Sequence, residues 1–212
     1  IDNRSTSYVG DFGTSGPPSL IKRMREVDVL VVAGARVGEM TSQGFTLIDA
    51  PAARQRLVHI HVDANEIGRI YAPDVGVVSS SPFLAAALAH RAVTGNWAEW
   101  SRTLRSEFVA SQTPPESTRP LDLAKAFTEL DAFLPSDAII TLDAGNHTGW
   151  PQRFLKFGRP GRQIGSTSGA MGYAIPAAVA ASLHHPDRVV VCCVGDGGFA
   201  MSGLELLTAV QH

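Results

Sequence analysis

Runs of β-branched residues alternate with apolar positions at helical spacing along this chain. Residues 27–34, Val27-Asp28-Val29-Leu30-Val31-Val32-Ala33-Gly34, form a continuous apolar run closed by glycine. That pattern predicts a strand buried on both faces. Residues 57–63, Leu57-Val58-His59-Ile60-His61-Val62-Asp63, predict a second strand of the same kind. Pro17-Pro18 leads into Leu20, Ile21 and Met24, a short helix with proline in its first turn. Ser81-Pro82 opens another through Phe83, Leu84, Leu88 and His90.

The second half repeats the alternation. Leu121, Ala124, Phe127, Leu130 and Leu134 recur at helical spacing. Residues 138–145 read as a strand running into a Gly-Asn-His loop. Residues 172–185 are alanine-rich and almost wholly apolar, which predicts a buried helix. Residues 188–194 predict another fully buried strand, ending at Gly195-Asp196-Gly197-Gly198. A last helix is expected from Ser202 past Leu204, Leu207 and Val210.

Alternating helices and buried strands imply right-handed parallel βαβ units. The expected fold class is therefore α/β, with two doubly wound parallel-sheet units. The first covers residues 1–95 and the second residues 121–212. Residues 96–120 are expected to connect them. The polar, proline-rich stretch 112–120 has linker composition, and residues 96–109 form a helix lying on the surface. No repeat of solenoid type is present.

Composition narrows the function classes. The chain is 44% hydrophobic and 18% charged, enough to bury a core. Net charge is -2 with no basic stripe, which argues against nucleic acid or an anionic membrane as partner. No apolar run reaches the ~20 residues of a membrane span, and no signal-peptide pattern is visible. The 2 cysteines are adjacent, so no disulfide framework can form. A reducing cytoplasm is the expected location. The chain begins at Ile1 and ends within a helical pattern, so it is expected to be a piece of a longer protein.

The candidate chemistry centres on Val194-Gly195-Asp196-Gly197-Gly198-Phe199, between a strand and a helix. Ligands of open parallel sheets bind outside the carboxyl ends of the strands. Glycines there let main-chain N–H groups approach a phosphate. An aspartate in such a loop would repel a phosphate unless a hard cation lay between them. Mg²⁺ commonly takes one or two carboxylates plus phosphate oxygens. A ligand-free tight turn would give the same tetrapeptide, so the context matters.

Upstream stand Gly165-Ser166-Thr167-Ser168-Gly169-Ala170-Met171-Gly172-Tyr173-Ala174-Ile175-Pro176-Ala177-Ala178, and downstream Phe199-Ala200-Met201 and Glu205-Leu206-Leu207-Thr208-Ala209. This ordered series resembles the diphosphate-binding domain of thiamine-diphosphate-dependent enzymes of the acetolactate synthase type. Asp143-Ala144-Gly145-Asn146-His147-Thr148-Gly149-Trp150 is similar to that family's G-Q-H-Q-M-W loop, with Asn146 in the glutamine position. Residues 28–36 and 57–63, followed by Glu66-Ile67-Gly68, look like its Rossmann-like central domain. The resemblance makes residues 121–212 a truncated diphosphate-binding domain.

The resemblance implies thiamine diphosphate and Mg²⁺ as cofactors. Asp196 would ligate the metal. Gly195, Gly197 and Gly198, with Gly145, Asn146 and His147, would line the diphosphate. The backbone at Gly169 and Met171 would hold the aminopyrimidine ring, and the Met171 side chain would support the bent cofactor. The substrate would be a 2-keto acid, decarboxylated and joined to an acceptor. A related decarboxylase, oxidase or acyl-CoA lyase is the alternative, as is a non-catalytic nucleotide-binding or structural homologue. The family's catalytic glutamate and a downstream asparagine pair fall outside this chain, so the piece alone is expected to be inactive. The parent is expected to be a homodimer or homotetramer. Flavin-containing relatives carry Asp-Asp-Arg after Gly-Ala-Arg, whereas Val37-Gly38-Glu39-Met40 stands here, which argues against FAD.

Two further features have plainer readings. His59 and His61 share one face of a strand; without a third ligand they read as core or sheet-end histidines rather than a zinc pair. Cys192 and Cys193 read as inert packing residues.

Overall fold

A computed structural model describes residues 2–13, 16–91, 94–118, 120–158 and 161–212. The chain divides into two compact units, Val9–Phe108 and Ile1–Tyr8 with Val109–His212. Each contains a three-stranded parallel sheet flanked by helices, an α/β architecture.

The first unit contains α1 (Pro18–Met24), β1 (Val29–Ala33), β2 (Arg56–His61), β3 (Val75–Val78) and α2 (Ser81–Ala89), and α3 (Ala98–Ser111) begins in it. Sheet order is β1-β2-β3. Leu20 and Met24, four apart on α1, turn the same face inward. Met24 joins Leu47, Ile48, Leu57 and Tyr71 in the core of this unit. The strand after β2 is held by Asp74, whose carboxylate accepts from Leu57 N–H at 2.7 Å while its own N–H donates to the Leu57 carbonyl. On α3, Leu104 and Phe108 are buried, and Glu107 pairs with Arg23 of α1 at 3.1 Å.

The sequence pattern predicts β1 buried on both faces, and the structure corrects this. Val29 and Val31 are 52% and 57% exposed, and Val75 and Val77 of β3 are exposed on the same sheet. Among the described residues of this unit, only one face of the sheet carries the core cluster. Continuous β-branched character reports strand propensity; coverage of the second face is a tertiary matter that a single run cannot encode.

The second unit contains α4 (Leu123–Phe133), β4 (Ile139–Leu142), α5 (Gly149–Phe154), β5 (Gln163–Gly165), α6 (Ala174–His184), β6 (Val190–Cys193), α7 (Asp196–Ser202) and α8 (Leu206–Gln211). Sheet order is β5-β4-β6, all parallel. The central strand β4 is buried at every position. Ile140 and Leu142 face the cluster of Ala138, Leu155 and Cys193. Thr141 faces α6, where its hydroxyl donates to the Ala174 carbonyl at 2.9 Å. Asp122 caps α4 by accepting from Lys125 N–H at 3.0 Å.

Three expectations change here. β6 is half-buried rather than fully buried: Cys193 alone of its residues is buried, with the partly buried Val191 packed against the same cluster. α6 buries Ala174, Ile175, Val179 and Ala181 but leaves Leu183 half-exposed. The last helix starts at Asp196, not Ser202, and breaks into two at Gly203–Glu205. Glycines are poor helix formers, yet Gly197 and Gly198 lie in its first turn, for a reason that emerges below. Among the described residues, no helix is long and apolar enough to cross a membrane.

Candidate functional site

All three strands of the second unit deliver a loop to the same edge of the sheet. Leu142 ends β4 and leads to Asp143–Thr148; Gly165 ends β5 and leads to the turn 166–173; Cys193 ends β6 and leads to 194–198. In a parallel sheet the carboxyl ends share one edge, where ligands of such folds bind.

The three loops interlock through Gly195, Gly197 and Gly198. A Cβ on Gly195 would stand 3.0 Å from His147 Nδ1. One on Gly197 would stand 2.8 Å from Met171 Cε. One on Gly198 would overlap Asp143 Oδ2 and lie 2.9 Å from its Cγ. Each of the three glycines is therefore faced by a different upstream side chain. This explains glycines inside the first turn of α7: lost helix propensity is exchanged for close approach of two other loops.

Asp143 is the joint of the arrangement. It is only 3% exposed, and its carboxylate accepts three main-chain N–H bonds. Ala144 and Tyr173 donate to Oδ1 at 3.0 and 3.2 Å, and Gly172 donates to Oδ2 at 3.0 Å. A buried carboxylate is costly unless its oxygens are paired; here both are. Tyr173 is the N-cap residue of α6, so the negative charge also sits at a favourable helix end.

The turn that Asp143 holds contains two left-handed glycines, Gly169 at φ +68° and Gly172 at φ +80°. Between them Met171 is about half-exposed, its side chain lying over the Gly197 backbone. Gly145 adopts φ +150° and ψ 174°, a conformation essentially restricted to glycine. Asn146 and His147 follow in a 3₁₀ turn, with Asn146 exposed. His147 Nε2 is buried without a hydrogen-bond partner among the described residues. Asp196, the first residue of α7, is exposed, and one of its oxygens accepts from Gly197 N–H at 2.9 Å.

The sequence-predicted residues Gly145, Asn146, His147, Gly169, Met171, Gly195, Asp196, Gly197 and Gly198 thus lie on the three loops of one sheet edge. Residues 1–88 match the thiamine pyrophosphate enzyme central domain, and residues 143–212 match the C-terminal TPP binding domain of the same enzymes. The chain belongs to the thiamine pyrophosphate enzyme family. It is 31% identical over 208 residues to acetolactate synthase isozyme 1 large subunit of Escherichia coli (strain K12), covering 96% of this chain and 36% of that protein. It is 30% identical over 220 residues to the acetolactate synthase large subunit of Parasynechococcus marenigrum (strain WH8102), covering 100% of this chain and 34% of that protein. It is 32% identical over 192 residues to acetolactate synthase 3, chloroplastic, of Brassica napus, covering 85% of this chain and 28% of that protein. The chain spans about a third of the length of these curated relatives.

Sequence reasoning gave Asp143 no role. Its signal was modest: an acidic residue directly after the largely apolar Ile139-Ile140-Thr141-Leu142, where a solvent-facing loop start is the ordinary reading. Nothing local announces that two N–H groups some thirty residues away will close on it.

The other singled-out residues have structural partners. His59 Nε2 donates to the Ala35 carbonyl at 3.1 Å, and His61 Nδ1 accepts from Asp63 N–H at 3.0 Å. Both are buried. No cluster of three His, Cys, Asp or Glu side chains fit for a metal occurs among the described residues. In the first unit, Arg36, His59, Glu66, Arg69 and Tyr71 line a cavity of about 230 Å³, with Glu66 paired to both arginines. Burial pushes the Cys193 thiol up to about 11, and Cys192 is raised for the same reason.

Proposed function

We propose that this chain supplies the diphosphate-binding side of a thiamine-diphosphate site in a Mg²⁺-dependent enzyme acting on a 2-keto acid, by decarboxylation with carboligation as in acetolactate synthase. The observation that carries the reading is the cradle at the sheet edge. Gly198 leaves no room for a side chain, Gly195 and Gly197 are closely approached by His147 and Met171, and the buried His147 Nε2 has no hydrogen-bond partner among the described residues.

The residues fit the group. Gly145, Asn146 and His147 would line the diphosphate from the β4 loop, and Gly195, Gly197 and Gly198 from the β6 loop. Asp196, exposed at the start of α7, is the carboxylate these three loops would offer to a cation. Mg²⁺ is satisfied by one or two carboxylates when phosphate oxygens and water complete its octahedron, so the absence of a three-residue cluster among the described residues does not conflict with it. The backbone at Gly169 and Met171 would receive the aminopyrimidine ring, with the Met171 side chain as an apolar, adaptable support. When bound, thiamine diphosphate takes up the electron pair left by decarboxylation. This chain's part is binding and orientation; we assign it no acid or base, so turnover by the chain alone is not expected.

The reading extends to organisation. Residues 1–95 act as central domain and residues 121–212 as part of the cofactor domain, within a cytoplasmic homodimer or homotetramer.

Calorimetric titration of thiamine diphosphate with Mg²⁺ into the full-length parent protein, beside its Asp196→Ala variant, tests the reading. Metal-dependent binding that the variant loses is the expected result. Absence of binding by the unaltered protein would sink it.

A further inference from the structure

The Asp143 carboxylate sits at the joint of the three loops, and the roles proposed for the cofactor site leave it unused. It cannot touch the ligand side of the cradle with both oxygens committed to main-chain N–H groups and its residue 3% exposed. What it does hold is the turn before α6. Gly172 N–H and Tyr173 N–H both donate to it. Those are the two residues directly after Met171, and the turn has left-handed backbone at Gly169 and Gly172. Such a turn has several conformations of similar energy available unless something outside it selects one. A buried charge accepting two consecutive amides is such a selector, because leaving either amide unpaired carries a desolvation cost.

We propose that Asp143 is a positioning residue: by clamping Gly172 and Tyr173 it sets the height of Met171 above Gly197, and so the space left for the ring portion of the cofactor. The proposal rests on the thiamine-diphosphate reading and deepens it. It assigns the two halves of the ligand to separable parts of the protein. The diphosphate is held by the loops of β4 and β6, and the ring by a turn of the β5 loop whose shape is dictated from β4.

That separation makes the test specific. Asp143→Asn keeps the size of the side chain and its fit against Gly198, but replaces one acceptor oxygen by a donor that cannot pair with an N–H. Affinity is measured for two probes with Mg²⁺: thiamine diphosphate and inorganic diphosphate. Asp143→Asn should weaken thiamine diphosphate about tenfold, the order expected when a buried N–H loses a charged acceptor, while inorganic diphosphate changes less than about twofold. Gly169→Ala reaches the same turn from its other end. Its added Cβ meets nothing within 4 Å, so it acts by backbone strain alone, and the same selective loss is expected. This second variant covers the case in which the buried asparagine prevents folding.

Amide exchange without ligand gives an independent readout: Gly172 and Tyr173 should exchange faster in Asp143→Asn. Equal loss of both probes would mark a merely structural role and overturn the proposal, as would unchanged thiamine-diphosphate affinity in both variants. If the unaltered protein binds neither probe, the cofactor reading itself fails and takes the proposal with it.

Discussion

Asp143 Oδ2 occupies the volume that a side chain at Gly198 would need. A Cβ there would overlap the oxygen and lie 2.9 Å from the Asp143 Cγ and 3.1 Å from Val194 Cγ2. The two residues are fifty-five positions apart, and each limits what the other can be. Gly198→Ala should therefore destabilise the second unit by about 1–3 kcal/mol through overpacking. The loss should shrink in an Asp143→Ala background, where the blocking carboxylate is gone. A double-mutant cycle of urea denaturation measures the coupling; additive effects would show that the close approach has no energetic weight.

Thr141 lies beneath the same joint. It is fully buried, and its hydroxyl donates to the Ala174 carbonyl at the start of α6. Thr141→Val keeps the shape and removes the donor. A loss of about 0.5–1.5 kcal/mol is expected, the net worth of one buried hydrogen bond, because the Ala174 carbonyl keeps its helical N–H partner. Chemical denaturation gives the value, and a neutral result would mean that the strand–helix contact is held by packing alone.

Cys193 makes stability depend on alkaline pH. Burial raises its thiol from 9.0 to about 11, so the folded protein holds that proton more tightly than the unfolded chain. The contribution is fully present below about pH 9 and is lost as pH rises through about 11. Denaturation midpoints should fall more steeply over that window in the unaltered protein than in Cys193→Ala. Parallel slopes would contradict the assignment.

Ligand and metal removal supply a further check. A ligand present at about 100 times its Kd stabilises the native state by about 2.7 kcal/mol. Thiamine diphosphate with Mg²⁺ should raise the thermal midpoint by a corresponding amount, and chelation of the metal should abolish the rise. Protection that persists in excess chelator would remove Mg²⁺ from the proposed site.

The spacing around Asp196 and the ordered motifs from Gly145 to Gly198 were legible in the sequence, because close main-chain approach leaves glycine as its trace. The structure brings those residues to one sheet edge because each loop follows a parallel strand. Less legible was what each glycine faces. Gly195, Gly197 and Gly198 answer to His147, Met171 and Asp143 in turn, pairings made between residues far apart along the chain. The short strands β3 and β5 escaped the hydrophobic pattern: β5 spans only Gln163–Gly165, and β3 carries Gly76 among its valines.

The sequence by itself determined the α/β alternation, the apolar central strand Ile139–Leu142 and the chemical character of the candidate site. These follow from local propensity and periodicity, which act over a few residues. Tertiary structure alone decided which strand faces are covered, where α7 begins, and that Asp143 becomes a buried clamp instead of a solvated loop residue. The reason is physical: burial and hydrogen-bond partners across the fold are set by what packs against a residue, and its neighbours in sequence do not carry that information.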